Sequence, residues 1–123
     1  MSFAEQTIPP ERPLLRAAEV AVERGDLQRA DGLYLEHIAQ QPGDAIGLAD
    51  YGVFCMRTRR PATACYLLHK ADALRPGDSE WLSQLGYAWI EIADFEHARP
   101  CFESALARSP GHPLANYGIG LGH

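Results

Sequence analysis

Three prolines lie 34 residues apart in this chain, at Pro42, Pro76 and Pro110. A sequence that repeats at a fixed period of about 20–50 residues is built from stacked supersecondary units, and a period near 34 has the length of two helices joined by a turn. The spacing therefore predicts an all-α protein made of stacked helix pairs. It also predicts that function resides on the surface of the stack, where repeat proteins of this kind form their binding faces.

The apolar and small residues follow the same period. The first helix of each predicted pair carries Leu14, Leu48 or Leu82, and the second carries Ala30, Ala64 or Ala98, followed four residues later by Tyr34, Leu68 or Phe102. Small residues at fixed positions allow two helices to approach closely, and large residues fill the gaps beside them. The pattern divides the chain into units at residues 11–44, 45–78 and 79–112.

The third unit shows the pattern most completely: Leu82-x-x-Leu85-Gly86-x-x-Trp89, then Ala98-x-x-x-Phe102, then Pro110. This pattern resembles the tetratricopeptide repeat (TPR) family, and the resemblance covers residues 11–123. It implies a right-handed α-solenoid of three helix–turn–helix repeats, followed by the first helix of a fourth repeat at residues 113–123. Residues 1–10 are expected to form an extended N-terminal arm.

The individual helices are predicted at residues 12–24, 27–40, 45–58, 61–74, 79–92 and 95–108. Asp44 and Asp78 precede the first helices of the second and third units, where an aspartate can cap the helix. Pro100 lies inside the last helix and is expected to bend it. His37 stands where the family usually has alanine. Its ring is either a functional group or a hydrogen-bonded packing residue, and we favour packing.

The charge of the chain argues against a nucleic-acid partner. The formal net charge is −5, whereas a nucleic-acid surface needs a clustered basic stripe. The only basic cluster comprises Arg57, Arg59 and Arg60, at a predicted turn. We interpret it as a solvated turn, and contact with an acidic partner is the alternative.

Sequence signals for targeting and for catalysis are missing. The N-terminal residues MSFAEQTIPP contain neither a basic start nor an apolar run, and no stretch approaches membrane-spanning length. The three cysteines have no C-x-x-C spacing and suit packed thiols in a reducing compartment. No metal-ligand spacing of histidines, Gly-rich phosphate loop, nucleophile elbow or carboxylate pair is visible. We therefore expect a cytoplasmic protein with no enzymatic activity, no cofactor, no metal and no membrane contact.

The first helix of each TPR pair lines a concave groove, and the resemblance implies which residues of this chain face it. They are Leu15, Glu19, Ile46, Ala49, Val53, Met56, Arg57, Glu80, Ser83, Tyr87, Ile90, Glu91, Tyr117 and Leu121. The middle of this set is apolar, and an exposed apolar patch usually marks a binding site. We expect a protein or peptide partner that presents apolar anchors, as an extended segment or a helix. Filling of the groove by the N-terminal arm or by a second copy is the alternative.

One known TPR ligand is disfavoured. Chaperone-binding members of the family grip a C-terminal carboxylate with lysine and asparagine, and the corresponding positions here are Leu15 and Glu19. The resemblance therefore does not extend to this carboxylate clamp.

Two functions are consistent with the sequence. The first is a protein–protein interaction scaffold that acts as an adaptor or chaperone, similar to small three-repeat secretion chaperones. The alternative is the N-terminal recognition or oligomerisation module of a longer protein, which could be an enzyme. The predicted helix at residues 113–123 contains Gly118, Gly120 and Gly122, which lower its helix propensity by roughly 1 kcal/mol each. We expect it to be covered by a longer chain or by a second copy in a homo-oligomer.

Overall fold

The computed structural model describes residues 12–112, which form six α-helices and no β-strand. The chain divides into two compact units, Met1–Gln40 and Gln41–His123. The expected N-terminal arm, the start of a fourth repeat and the groove residues Tyr117 and Leu121 lie outside the described residues. Within the described range the predicted all-α class is confirmed.

The first unit is a helical hairpin of α1 (Pro13–Glu23) and α2 (Leu27–Gln40). Ala18 and Ala30 are both fully buried. His37 is only 1% exposed, and no buried polar side-chain atom of the described residues lacks a hydrogen-bond partner. His37 is therefore a packing residue, as predicted.

The second unit contains four helices: α3 (Ala45–Arg57), α4 (Pro61–Leu74), α5 (Ser79–Glu91) and α6 (Phe95–Arg108). Each helix packs against the next one along the chain. A core cluster of Leu82, Ala98, Phe102 and Ala105 joins α5 to α6. Every helix boundary lies within about one residue of the boundary predicted from the 34-residue period.

The turns inside the helix pairs repeat the same backbone geometry. Gly25 has a φ of 77°, and Arg59 and Ala93, at the equivalent places, each have a φ of 63°. In each turn the next backbone N–H donates to the carbonyl oxygen five residues earlier, at 2.8 Å. This bond closes the preceding helix in a Schellman-type ending. The left-handed conformation costs an L-residue roughly 1–2 kcal/mol, so the turn fixes the backbone at Arg59 against an intrinsic preference.

Two glycines allow paired helices of the second unit to touch. A Cβ atom at Gly52 in α3 would lie 2.8 Å from Cγ of Leu68, and one at Gly86 in α5 would lie 2.7 Å from Cζ of Phe102. Both distances are shorter than van der Waals contact, so a larger residue at either position requires its neighbour to move. The three alanines that recur at the equivalent site of the second helices, Ala30, Ala64 and Ala98, are at most 1% exposed.

The predicted helix caps were only partly right. The carboxylate of Asp78 caps α5 by accepting a hydrogen bond from the backbone N–H of Trp81 at 3.1 Å. Asp44 occupies the same place before α3, but its side chain makes no capping hydrogen bond. Asp94, which was not predicted as a cap, accepts one at the start of α6. That helix runs on through Pro100 to Arg108.

Candidate functional site

The predicted groove residues differ in how much surface they offer to a ligand. Those on α3 and α5 that are half-buried are Ile46, Val53, Met56, Tyr87 and Ile90, and those that are exposed are Arg57, Glu80 and Glu91. In the first unit Glu19 is exposed. Partly exposed apolar side chains next to exposed charges are the composition expected of a docking surface.

Three of the predicted groove residues are buried instead. Leu15, Ala49 and Ser83 are 3%, 1% and 0% exposed. Leu15 and Ala49 belong to the apolar interior, and the hydroxyl of Ser83 donates to the backbone carbonyl of Ser79 at 2.8 Å. Their side chains have almost no surface left for a ligand, so we exclude them from the contact set.

Glu80, although exposed, is already engaged. One of its carboxylate oxygens lies 2.7 Å from Nε2 of His112, and the other accepts a hydrogen bond from Nε2 of Gln84 at 3.3 Å. The contact with His112 joins the start of α5 to the segment that follows α6. Glu80 therefore has a structural partner before any ligand binds.

The end of α3, the following turn, the start of α4 and the last half of α5 enclose an open depression of about 590 Å³, which we name the α3–α5 pocket. It is lined by Met56, Arg59, Pro61, Tyr87 and Glu91. Three of these residues (Met56, Tyr87 and Glu91) were predicted to face the groove, and the structure brings them together. Arg59 and Pro61 were not predicted as groove residues, because Arg59 belongs to the turn and Pro61 begins the second helix of the pair.

Tyr87 forms the braced apolar wall of the α3–α5 pocket. Its ring meets the ring of Phe102 edge-on, with the ring centroids 6.3 Å apart and the planes at 85°. Phe102 is itself only 1% exposed. An edge-to-face pair of this kind is a favourable aromatic geometry. The Tyr87 ring is therefore positioned by the core before a ligand arrives.

The three arginines of the basic cluster have different roles. The Nε atom of Arg60 donates to the hydroxyl of Thr58 at 3.0 Å, and its guanidinium lies over the rings of Tyr51 and Phe54 at 5.7 and 5.8 Å. Arg60 is thus part of the packing of α3. Arg57 and Arg59 are exposed, and within residues 12–112 neither side chain has a hydrogen-bond or ion-pair partner.

A second, apolar depression of about 310 Å³ lies between α4 and the end of α5. We name it the α4 patch; it is lined by Ala62, Cys65, Tyr66, His69, Trp89 and Ile92. Tyr66 is 64% exposed and Ile92 is 40% exposed. This surface was not among the predicted sites, because the predicted groove positions all lie on the first helices of the pairs. The spacing of Ala62, Cys65, Tyr66 and His69 along one helix face was the available signal.

The two cysteine thiols near the α4 patch are not activated. Burial, together with the charge of Asp94, raises the pKa of the Cys65 thiol to about 11. Burial raises the pKa of Cys101 to about 11 as well, with smaller effects of Asp72 and Cys65. Both cysteines are therefore protonated thiols near neutral pH, which are poor nucleophiles and poor metal ligands.

Residues 12–112 contain neither a cluster of metal-ligating side chains nor a helix that could span a membrane. No group of three histidine, cysteine, aspartate or glutamate side chains is placed to hold a metal ion in this range. None of the described helices has both the length and the apolar character needed to cross a membrane.

No protein-family model and no curated protein sequence matches the chain. Solved structures do match its fold. The first TPR domain of Spaghetti (RPAP3), bound to the HSP90 peptide SRMEEVD, has a TM-score of 0.83 and 18% identity, over 89% of this chain and 86% of that one. The second TPR domain of human RPAP3, in complex with the HSP70 peptide SGPTIEEVD, has a TM-score of 0.82 and 19% identity, over 89% and 91%.

A longer protein contains the same fold. The O-GlcNAc transferase of Thermobaculum terrenum, solved as a K341M mutant, has a TM-score of 0.78 and 23% identity, over 89% of this chain but only 21% of that one. Together these similarities show that the chain has the TPR fold, as its repeat pattern predicted.

Proposed function

We propose that this protein is a TPR adaptor that binds a peptide or a helix through the α3–α5 pocket. The observation that carries the proposal is the meeting of Met56, Tyr87 and Glu91 around an open depression of about 590 Å³. Half-buried apolar side chains in a depression gain from covering by an apolar anchor. Further support comes from the two RPAP3 domains, which share the fold and hold peptides.

The ligand that we propose carries an apolar anchor and does not depend on a C-terminal carboxylate. The peptides in the two RPAP3 complexes both end in EEVD. At the positions where the family resemblance places the lysine and asparagine of the carboxylate clamp, this chain has Leu15, which is buried, and Glu19, which is exposed. A buried leucine offers no cation and a glutamate repels a carboxylate. We therefore place an apolar anchor of the ligand over Met56 and Tyr87, which line the α3–α5 pocket.

Within this proposal the protein works in the cytoplasm as an adaptor or chaperone. Its repeats are residues 11–44, 45–78 and 79–112, and a fourth begins at residue 113. A second candidate is the N-terminal recognition or oligomerisation module of a longer protein, which could be an enzyme. The similarity to a segment that makes up 21% of an O-GlcNAc transferase chain favours this candidate. Both candidates use the α3–α5 pocket in the same way.

The test is a selection followed by mutation. Peptides are selected from a random library displayed on phage against the purified chain, and their affinities are measured by fluorescence anisotropy. Met56→Ala removes an apolar side chain that lines the α3–α5 pocket. It should weaken binding of the selected peptides by about 2 kcal/mol, or roughly 30-fold in Kd. Tyr66→Ala is the matched control, because Tyr66 is an exposed residue of the α4 patch. Peptides that lose affinity with Tyr66→Ala and not with Met56→Ala would refute the proposal.

A further inference from the structure

Two opposite charges on the α3–α5 pocket have no partner among the residues that the structure describes. Arg59 lies on the turn between α3 and α4, and Glu91 is the last residue of α5. Both are exposed, and among residues 12–112 neither side chain makes a hydrogen bond or an ion pair, with the other or with a third residue. Other charged side chains of this unit do have partners. For example, an Nη atom of Arg75 lies 3.4 Å from a carboxylate oxygen of Asp78.

The backbone at Arg59 is fixed by the turn between α3 and α4. Arg59 has a left-handed φ of 63°, and the N–H of Arg60 closes the turn by donating to the carbonyl of Cys55 at 2.8 Å. Ala93 adopts the same φ in the equivalent turn, which shows that the turn itself requires no long or charged side chain. The arginine is thus not explained by the needs of the turn, and the turn fixes the point from which its side chain leaves the backbone.

The apolar part of the pocket lies with these charges. Met56 and Tyr87 line the same depression, and Tyr87 is braced by Phe102. A methionine adapts its shape to different apolar side chains. Arg59 and Glu91 line this depression together with them, so a segment whose anchor covers Met56 and Tyr87 also enters a depression that carries a guanidinium and a carboxylate.

We infer that the α3–α5 pocket recognises a segment in which an apolar anchor is flanked by an acidic residue on one side and a basic residue on the other. The inference rests on the proposed function and specifies its ligand. The acidic residue pairs with Arg59 and the basic residue with Glu91, in either chain direction. Exposed ion pairs are weak, and each contributes about two- to fivefold in Kd at low salt. Their main effect is to discriminate against segments with the wrong flanking charge.

The inference is tested with three synthetic peptides of equal length and a common central leucine. The first has the core Glu-Ala-Leu-Ala-Lys, the second has glutamate on both sides, and the third has lysine on both sides. Wild-type protein should bind the mixed peptide about five- to tenfold more tightly than either uniform peptide at low ionic strength. The preference should shrink as salt is added.

Charge reversal of the pocket should invert the preference. Arg59→Glu should favour the peptide with two lysines, and Glu91→Arg should favour the peptide with two glutamates. The double variant that carries both changes should again favour the mixed peptide. Lys70→Glu is the matched control, since Lys70 lies over the ring of Tyr66 in the α4 patch and should leave the order of the three peptides unchanged. Circular dichroism confirms that each variant is folded.

The possible outcomes separate this inference from the proposed function. If the order of the peptides is the same in all pocket variants, the inference is wrong, although the proposed function survives when Met56→Ala still weakens all three. If Lys70→Glu changes the order and the pocket variants do not, both are wrong, because the ligand then lies on the α4 patch. Failure of all three peptides to bind wild-type protein also counts against both.

Discussion

The contact between Gly86 and Phe102 gives the sharpest prediction about stability. A Cβ atom at residue 86 would lie 2.7, 2.8 and 2.9 Å from three carbon atoms of the Phe102 ring. The ring is only 1% exposed, and Tyr87 packs against it, so it has little room to move. Alanine would raise helix propensity by about 1 kcal/mol, but overpacking a filled core costs roughly 1–3 kcal/mol. Because the buried ring has little room to move, we expect a cost in the upper half of this range, so that Gly86→Ala lowers the free energy of unfolding by a net amount of about 1–2 kcal/mol.

The measurement is a urea melt, and Gly32→Ala is the matched control. Both tryptophans of the chain, Trp81 and Trp89, lie in α5, so their fluorescence reports on the helix that is changed. Gly32 is an exposed residue inside α2, and a Cβ atom there would meet nothing within 4 Å. Gly32→Ala should therefore stabilise the first unit by about 0.5–1 kcal/mol. Its unfolding is monitored by circular dichroism. If Gly86→Ala is as stable as wild type, the packing argument is refuted.

Three other substitutions test neighbouring parts of the account. Ala98→Leu should lower the free energy of unfolding by roughly 1–3 kcal/mol in the same urea melt, because Ala98 lies in the filled α5–α6 core; an unchanged midpoint would contradict this. Tyr87→Ala should weaken the selected peptides by about 2 kcal/mol and also destabilise the fold through its lost contact with Phe102, so anisotropy titrations must be run well below the melting temperature. Hydrogen bonds from His97 lower the pKa of the Asp94 carboxyl from its usual 3.8. The ionised carboxylate therefore stabilises the fold at pH values above 3.8. This stabilisation is lost as the pH falls through the lowered pKa of the folded state. The stability difference between wild type and Asp94→Asn should thus be present at neutral pH and shrink in acid, and a difference independent of pH would refute the assignment.

The helices could be predicted from the sequence because the evidence for them is periodic. Each position class recurs every 34 residues, so an error at one residue is corrected by its equivalents in the other units. The left-handed turns at Gly25, Arg59 and Ala93 show the same periodicity, although only the glycine reveals it in the sequence.

The binding surface was harder to predict, because a register position gives the direction of a side chain and not its exposure. Ala49 and Ser83 occupy groove positions, yet they are covered by their surroundings. Arg59 and Pro61 line the α3–α5 pocket although no groove position includes them. Arg59 lies on the turn and Pro61 begins α4, and a residue at either place can lie beside the face formed by the first helices. Tyr66 was missed for the opposite reason. Its side chain is exposed, but it lies on the second helix of a pair, which carries no predicted groove position.

The most direct test of the proposed function is the location of a bound peptide. Amide chemical-shift changes are measured for the ¹⁵N-labelled protein as it is titrated with the tightest peptide from the selection. The proposal predicts that the largest changes occur at Met56, Arg59, Tyr87 and Glu91. Changes that instead concentrate at Tyr66, His69 and Ile92 would contradict it and assign binding to the α4 patch.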